Sequence, residues 1–196
     1  MAKTTHRDKS NGYEDVAEHF IAARNPRIGP ATVREWSKSL APGSIVLDVA
    51  CGYGVPITKT LIEAGFTVYG VDASAKLVAE FRKRFPHVPI ECAAAEDSEF
   101  FSRKFDGIVA WGLMFLLPAD IQPVIIRKAA EALKPGGRFL FTAHKQVVTW
   151  NDSLTGLESI SLGGERYEQI LRDAGLTVVG EAFDEGDNHY YFLSKP

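Results

Sequence analysis

VLDVACGYGVPI, residues 46–57, is an apolar run that carries one acid, Asp48, and then passes through Gly52 and Gly54 to Pro56. An unpaired carboxylate inside a buried strand costs several kcal/mol, so Asp48 has to meet a hydrogen-bonding partner or a ligand. A strand that runs into Gly-x-Gly and then a helix leaves free backbone N–H groups and room for close approach at the carboxyl end of a sheet. Small ligands bind at such places in open α/β folds. Pro56 suits the first turn of the following helix, where its missing N–H has no intrahelical partner to lose.

Outward from this stretch, short apolar runs alternate with helical periodicity. Residues 44–49, 67–72, 88–92, 105–111 and 138–143 read as strands separated by βα units, the pattern of a parallel sheet. Leu77, Val78, Phe81 and Phe85 fall on one face of a helix, and 118–133 forms another that ends at Pro135-Gly136-Gly137. Pro123 places the start of that second helix near residue 123. Residues 164–175 give a last helix stopped by Gly175, and 176–183 and 189–194 face each other across DEGDN as an antiparallel hairpin at the edge of the sheet. Before the first strand, Tyr13, Val16, Ala17, Phe20 and Ile21 make an amphipathic helix.

The predicted fold is α/β and doubly wound. It has a mainly parallel seven-stranded sheet with an antiparallel C-terminal strand, helices on both faces and an N-terminal helical lid. One domain over 1–196 is expected, with a lid in 1–43, a ligand-binding core in 44–144 and a closing helix and hairpin in 145–196.

Composition narrows the function classes. The 196 residues are 45% hydrophobic and 24% charged with a net charge of −3, and lysines and arginines are scattered among acids. This gives no positive field for nucleic acid. No run of about 18 apolar residues is present to span a bilayer, and the polar start lacks the apolar middle of a signal peptide, so a cytoplasmic protein without membrane contact is expected. The first dozen residues read as unordered from their polarity. Cys51 and Cys92 stand apart as reduced thiols, and His6, His19, His87, His144 and His189 never fall at ligand spacing, so no metal is expected.

The second strand ends in Asp72, 24 residues after Asp48. That is close to the offset at which an acid follows the glycine turn to bind a ribose. The dinucleotide fingerprint needs a third glycine at 57, where this chain has Ile57, which argues against NAD.

These residues resemble the class I S-adenosylmethionine-dependent methyltransferases. VLDVACGYG is similar to their first motif and VYGVDAS to the second strand with its ribose acid. AAAEDSEF (93–100), FDGIVAWGLMFLL and ALKPGGRFLFTA resemble, in order, the adenine segment, the fourth strand and the entry to the fifth. The resemblance implies S-adenosyl-L-methionine as cofactor and S-adenosyl-L-homocysteine as product. Asp48, Ala50, Cys51, Gly52 and Gly54 would line the methionine moiety, Asp72 would bind the ribose, Ala73, Ala95 and Glu96 would surround the adenine, and Trp111 would sit beside the sulfonium. A leading helix that closes over the cofactor would bring Tyr13 to the substrate side. Two departures stand out. Phe115 and Leu116 occupy the place where many relatives carry histidines, and Trp111-Gly112-Leu113-Met114 replaces the tetrapeptide of enzymes that methylate amide or adenine nitrogens.

For a general base the sequence offers His144 after the fifth strand, then His189 and Tyr190 in the hairpin and His19 in the leading helix. The expected acceptor is a small molecule, held among Phe20, Trp36, Phe115, Trp150, Tyr167 and Tyr190, with direct in-line transfer of the methyl group and a monomer or homodimer as the working unit. The competing readings are a non-catalytic S-adenosylmethionine sensor or partner protein, and a methyltransferase of protein or RNA.

Overall fold

Alternation along the first strand sets the layers. In the computed structural model, which describes residues 8–196, β1 (Ile45–Val49) turns Val46 to one face and Leu47 and Val49 to the other. β2 (Thr67–Asp72), β3 (Ile90–Cys92), β4 (Phe105–Ala110) and β5 (Leu133–Thr142) join it in parallel. β8 (Thr177–Phe183) and β9 (His189–Ser194) complete a seven-stranded sheet of order β3-β2-β1-β4-β5-β9-β8, in which β9 alone runs against the rest. The order reverses between β1 and β4, which opens a crevice at their carboxyl ends.

Helices cover both faces. On one, Val33 and Trp36 of α2 (Pro30–Ser37) and Ile57 and Leu61 of α3 (Ile57–Glu63) pack on Val46, Val109, Leu140 and Tyr190. On the other, Ile125, Ile126 and Ala129 of α5 (Gln122–Ala132) and Ile170 and Leu171 of α6 (Gly164–Asp173) pack on Leu47, Ile108, Phe139, Phe141 and Tyr191. Each such fully buried side chain contributes ~1.5–3 kcal/mol.

The leading helix α1 (Ala17–Ala23) lies over the glycine turn. Ala17 packs with Tyr53 and with Leu77 of α4 (Ala75–Arg84), and the Phe20 ring meets Tyr13 and Tyr53 edge-on at 5.2 and 6.0 Å. Just before α1, the Glu14 carboxylate accepts from Ser74 Oγ (2.6 Å) and the Lys76 N–H (3.1 Å), adding an outside cap to α4.

Several details correct the sequence reading. The antiparallel strand is interior, since β9 inserts between β5 and β8 and leaves β8 at the edge. β5 starts at Leu133, pairs with Phe105 there and resumes at Arg138 opposite Gly107, so residues 134–137 bulge out instead of ending a helix. α2 and a separate hairpin of β6 (Val147–Asn151) and β7 (Glu158–Leu162) carried no clear periodic signal. Residues 8–12 of the start read as unordered form a turn in which Asp8 accepts from the Ser10 and Gly12 N–H groups, and Lys9 pairs with Asp97 at 2.6 Å. Residues 1–7, His6 among them, lie outside the described residues. No helix among the described residues is long and apolar enough to cross a membrane.

One buried amide fixes the β6–β7 hairpin to the main body. Gln122 donates through Nε2 to the Leu117 and Ile160 carbonyls, both at 3.0 Å, and its Oε1 accepts from Tyr167 Oη at 2.6 Å. Gln122→Leu strands all three partners, so it should destabilise the protein by ~2–4 kcal/mol, against ~1 kcal/mol for Tyr167→Phe. Urea unfolding of both variants and the double variant measures this, and the double variant should fall short of the sum.

Candidate functional site

The crevice predicted by the strand order holds a cavity of about 360 Å³, within the size range of small-ligand pockets. Its floor is the turn after β1. Ala50 and Gly52 adopt left-handed φ of 58° and 57° there, and a Cβ on Gly52 would meet nothing nearer than the Phe20 ring at 3.5 Å. The turn therefore presents bare backbone to the cavity, at the expense of strain at Ala50.

Two acids stand side by side on this floor. Asp48, 1% exposed, accepts from Thr58 Oγ1 at 2.6 Å through Oδ2. Asp72 accepts from the Gly52 N–H (2.7 Å) and the Ser74 N–H (2.8 Å), which ties the glycine turn to the start of α4. Burial pushes the Asp48 carboxyl up to about 7, with the nearby Asp72 charge adding to the shift and the Thr58 hydrogen bond opposing it. Burial likewise pushes Asp72 up to about 6, against the Ser74 and Gly52 N–H groups and with a contribution from Glu14. Cys51 shares the wall, and burial beside these acids holds its thiol protonated.

At one end of the cavity lie Ala73, Ala93, Ala95 and Glu96. Glu96 Oε2 is buried and has no hydrogen-bond partner, an acceptor left open to a ligand. The backbone beneath it is fixed by Lys128, whose Nζ donates to the Ala95 and Glu96 carbonyls at 2.9 and 3.0 Å. At the other end, Trp111 donates through Nε1 to Tyr190 Oη (2.5 Å), which donates on to Asp184 Oδ2 (2.6 Å). Gly186 and Asn188 of the β8–β9 loop close the wall beside it. Among the described residues no three His, Cys, Asp or Glu side chains gather as a metal site.

Residues 46–137, the segment that builds both acids and the glycine turn, match the family described as a methyltransferase domain. The match covers a little under half of the chain and makes this core similar to that family. An uncharacterized methyltransferase of Synechocystis is 34% identical over 113 residues, 57% of this chain and 52% of that one, so the chain spans about half the length of this relative. An uncharacterized methyltransferase of Anoxybacillus flavithermus is 30% identical over 149 residues, 76% of this chain and 63% of its own. Among solved structures, a Burkholderia thailandensis 1,6-didemethyltoxoflavin-N1-methyltransferase with bound 1,6-didemethyltoxoflavin and S-adenosylhomocysteine shares the fold. Its TM-score is 0.72 at 19% identity, covering 100% of this chain and 92% of that one.

The matched core places most of the sequence-derived binding candidates on one cavity: Asp48, Ala50, Cys51, Gly52, Asp72, Ala73, Ala95, Glu96 and Trp111 all line it. Gly54 does not. Its left-handed φ of 83° and the Phe85 and Phe81 rings, 2.4 and 3.0 Å from where a Cβ would stand, make it a packing position against α4.

The base candidates fare differently. His144 is exposed and leans on Trp150, 4.9 Å away, behind Phe115 and off the cavity wall. His189 is buried at the start of β9 with its nitrogens on the Ala143 carbonyl after β5 (3.1 Å) and on Glu181 of β8 (3.3 Å), both acceptors, so it holds the sheet together. His19 points to solvent on α1. Tyr13 does reach the cavity, but its hydroxyl donates to Asp152 at 3.1 Å, and burial together with that carboxylate holds the phenol protonated. Of the aromatic candidates, Phe20 and Phe115 line the wall, whereas Trp36, Tyr167 and Tyr190 are core and Trp150 backs Phe115. The sequence reading missed Arg24 and Asn188. Arg24 follows Phe20 by four positions and caps the C-terminal end of α1, and a charge in register with the helix's inward stripe was the available signal.

The raised acids have a consequence for stability. An acid whose folded pKa exceeds its ordinary value binds more protons folded than unfolded, so its contribution falls as pH rises between those two values. For Asp48 that window runs from 3.8 to about 7. Asp48→Asn should therefore gain Tm relative to the parent as pH rises through this window and level off above it, in ligand-free thermal melts.

Proposed function

We propose that the protein is an S-adenosylmethionine-dependent methyltransferase that transfers a methyl group directly to a small-molecule acceptor. The observation that carries this reading is the pair Asp48 and Asp72 on one cavity floor beside the bare backbone of Gly52, with the open Glu96 Oε2 at the far end. This set is rich in acceptors and negative charge. It complements a ligand with a ribose diol, an amino group and a positive sulfonium, and carboxylates of this kind accept from both hydroxyls of a ribose. The cofactor that the family resemblance suggests thus fits the residues present.

When bound, S-adenosylmethionine supplies an already activated methyl group. The chain's part is to position and to shield. Asp72 fixes the glycine turn and offers its remaining lone pairs to the ribose, and Lys128 holds the backbone under the adenine. α1 covers the floor and excludes water, while Phe20, Phe115 and Trp111 shape the acceptor end. No histidine among the described residues lines the cavity, and Tyr13 is held protonated, so rate comes from holding an acceptor nucleophile in line with the methyl group. The small cavity, about 360 Å³, supports a small acceptor over a protein or RNA chain.

Calorimetric titration with S-adenosylmethionine and S-adenosylhomocysteine, with NAD as control, tests the reading. The parent should bind both sulfur nucleosides and not NAD, and Asp72→Asn should weaken both at least tenfold, the loss of about 1.4 kcal/mol or more expected for one charge-assisted hydrogen bond. Tyr13→Phe should retain turnover in a screen of small acceptors read by S-adenosylhomocysteine release. A folded parent that binds neither nucleoside refutes the proposal, and binding with no turnover across the screen favours the sensor reading.

A further inference from the structure

Arg24 is the one arginine on the cavity wall among the described residues, and no carboxylate pairs with it within 4 Å. Its guanidinium lies 4.0 Å over the Trp111 ring and 5.2 Å from the Phe20 ring, and its Nε is buried without a hydrogen-bond partner. The titratable groups around it are the neutral phenols of Tyr13, Tyr53 and Tyr190 and one acid, Asp184. None forms an ion pair with it. Asp184, the sole acid of the set, is already saturated: its oxygens accept from the Gly186 and Asn188 N–H groups, from Asn188 Nδ2 and from Tyr190 Oη. A guanidinium sandwiched by aromatic rings keeps its planar fork free at the edge, and burying it without a counter-charge is costly unless an anion arrives.

Its neighbours say which ligand brings that anion. The candidate contacts for the methionine, ribose and adenine all fall within residues 46–137, the matched methyltransferase core. Arg24 and the residues that frame its end of the cavity, Ile28, Gly186 and Asn188, come from outside that core, from the α1–α2 linker and the β8–β9 loop. The parts of the chain added to the core thus build a separate corner around one unpaired positive charge.

We infer that the acceptor carries a carboxylate or an equivalent oxyanion, and that Arg24, clamped between Trp111 and Phe20, receives it and thereby selects the substrate class. The inference rests on the proposed methyltransferase reading and sharpens it. A planar carboxylate matches the fork in a bidentate fashion, and charge-assisted pairs of this kind separate an acid from its neutral isostere by about tenfold to a hundredfold. Arg24 is a specificity-determining residue here, since it reads a group of the acceptor other than the methylated atom.

The test uses benzoate and benzamide as a matched flat acid and neutral amide. Each is titrated to ~20 mM, above the millimolar Kd of weak small-ligand binding, into the full-length protein with and without saturating S-adenosylhomocysteine. Parent, Arg24→Gln and Arg24→Lys are compared, with thermal melts to establish that each is folded. The parent should bind benzoate at least tenfold more tightly than benzamide. Arg24→Gln should erase the preference, Arg24→Lys should keep part of it, and the affinities for S-adenosylhomocysteine and for 5′-methylthioadenosine, which lacks the carboxylate, should stay within about threefold in all three.

Three results overturn the inference: no saturable benzoate binding or no preference in the parent, a preference that survives in Arg24→Gln, or a tenfold loss of S-adenosylhomocysteine with 5′-methylthioadenosine unaffected. The last would assign Arg24 to the cofactor's own carboxylate. A parent that binds neither sulfur nucleoside instead sinks the cofactor reading, and the ligand-free titrations still decide the anion question.

Discussion

The site depends on the two hydrogen bonds that Asp72 accepts. One comes from the N–H of Gly52 in the turn after β1 and the other from the N–H of Ser74 at the start of α4. Two elements from successive βα units are thereby held by a single carboxylate, and the floor of the cavity keeps its shape because that carboxylate is buried and cannot exchange its partners for water. Asp48 plays a simpler part next door, anchored by Thr58 with its second oxygen uncommitted. Burial raises both pKa values, with the Asp72 charge adding to the shift at Asp48, which is the electrostatic cost of a site built to meet a ligand with donors and positive charge.

The N-terminal segment completes what the core begins. Lys9 reaches Asp97 and Glu96 at one end of the cavity, Glu14 caps α4 in the middle, and Phe20 and Arg24 close on Tyr53 and Trp111 at the other end. These contacts run the length of the cavity roof. They make the segment part of the binding surface, and they place Arg24 at the end where the hairpin loop of β8 and β9 also contributes.

The central strands, the glycine turn and its acids were legible because each rests on a local signal: alternation for β1, β2 and β4, an acid inside an apolar run at Asp48, an acid at a strand end at Asp72. The final hairpin was legible from its turn residues, whereas its insertion between β5 and the edge was not, since strand order is set by packing between distant segments. β6 and β7 stayed hidden because Val147 and Val148 face outward, which blurs alternation. His144 and His189 were misplaced for a related reason. Sequence puts His144 at the ligand-bearing end of the sheet and His189 in the closing hairpin, but the ring of one turns onto Trp150 and that of the other bridges Ala143 after β5 and Glu181 of β8. Arg24 was missed because a lone arginine near a helix end reads as solvated until the aromatic walls around it are known.

The interior place of β9 has a bearing on biosynthesis. β8 is made before β9 yet touches the rest of the sheet only through it, so on the ribosome Thr177–Phe183 has no neighbour to pair with until His189–Ser194 has emerged. Until then β5 also exposes an unpaired edge, the kind of surface that recruits strands from other chains. The half of the sheet that carries Tyr190 and the Asp184 loop therefore forms last, and a nascent chain acquires a closed cavity only after His189–Ser194 has emerged.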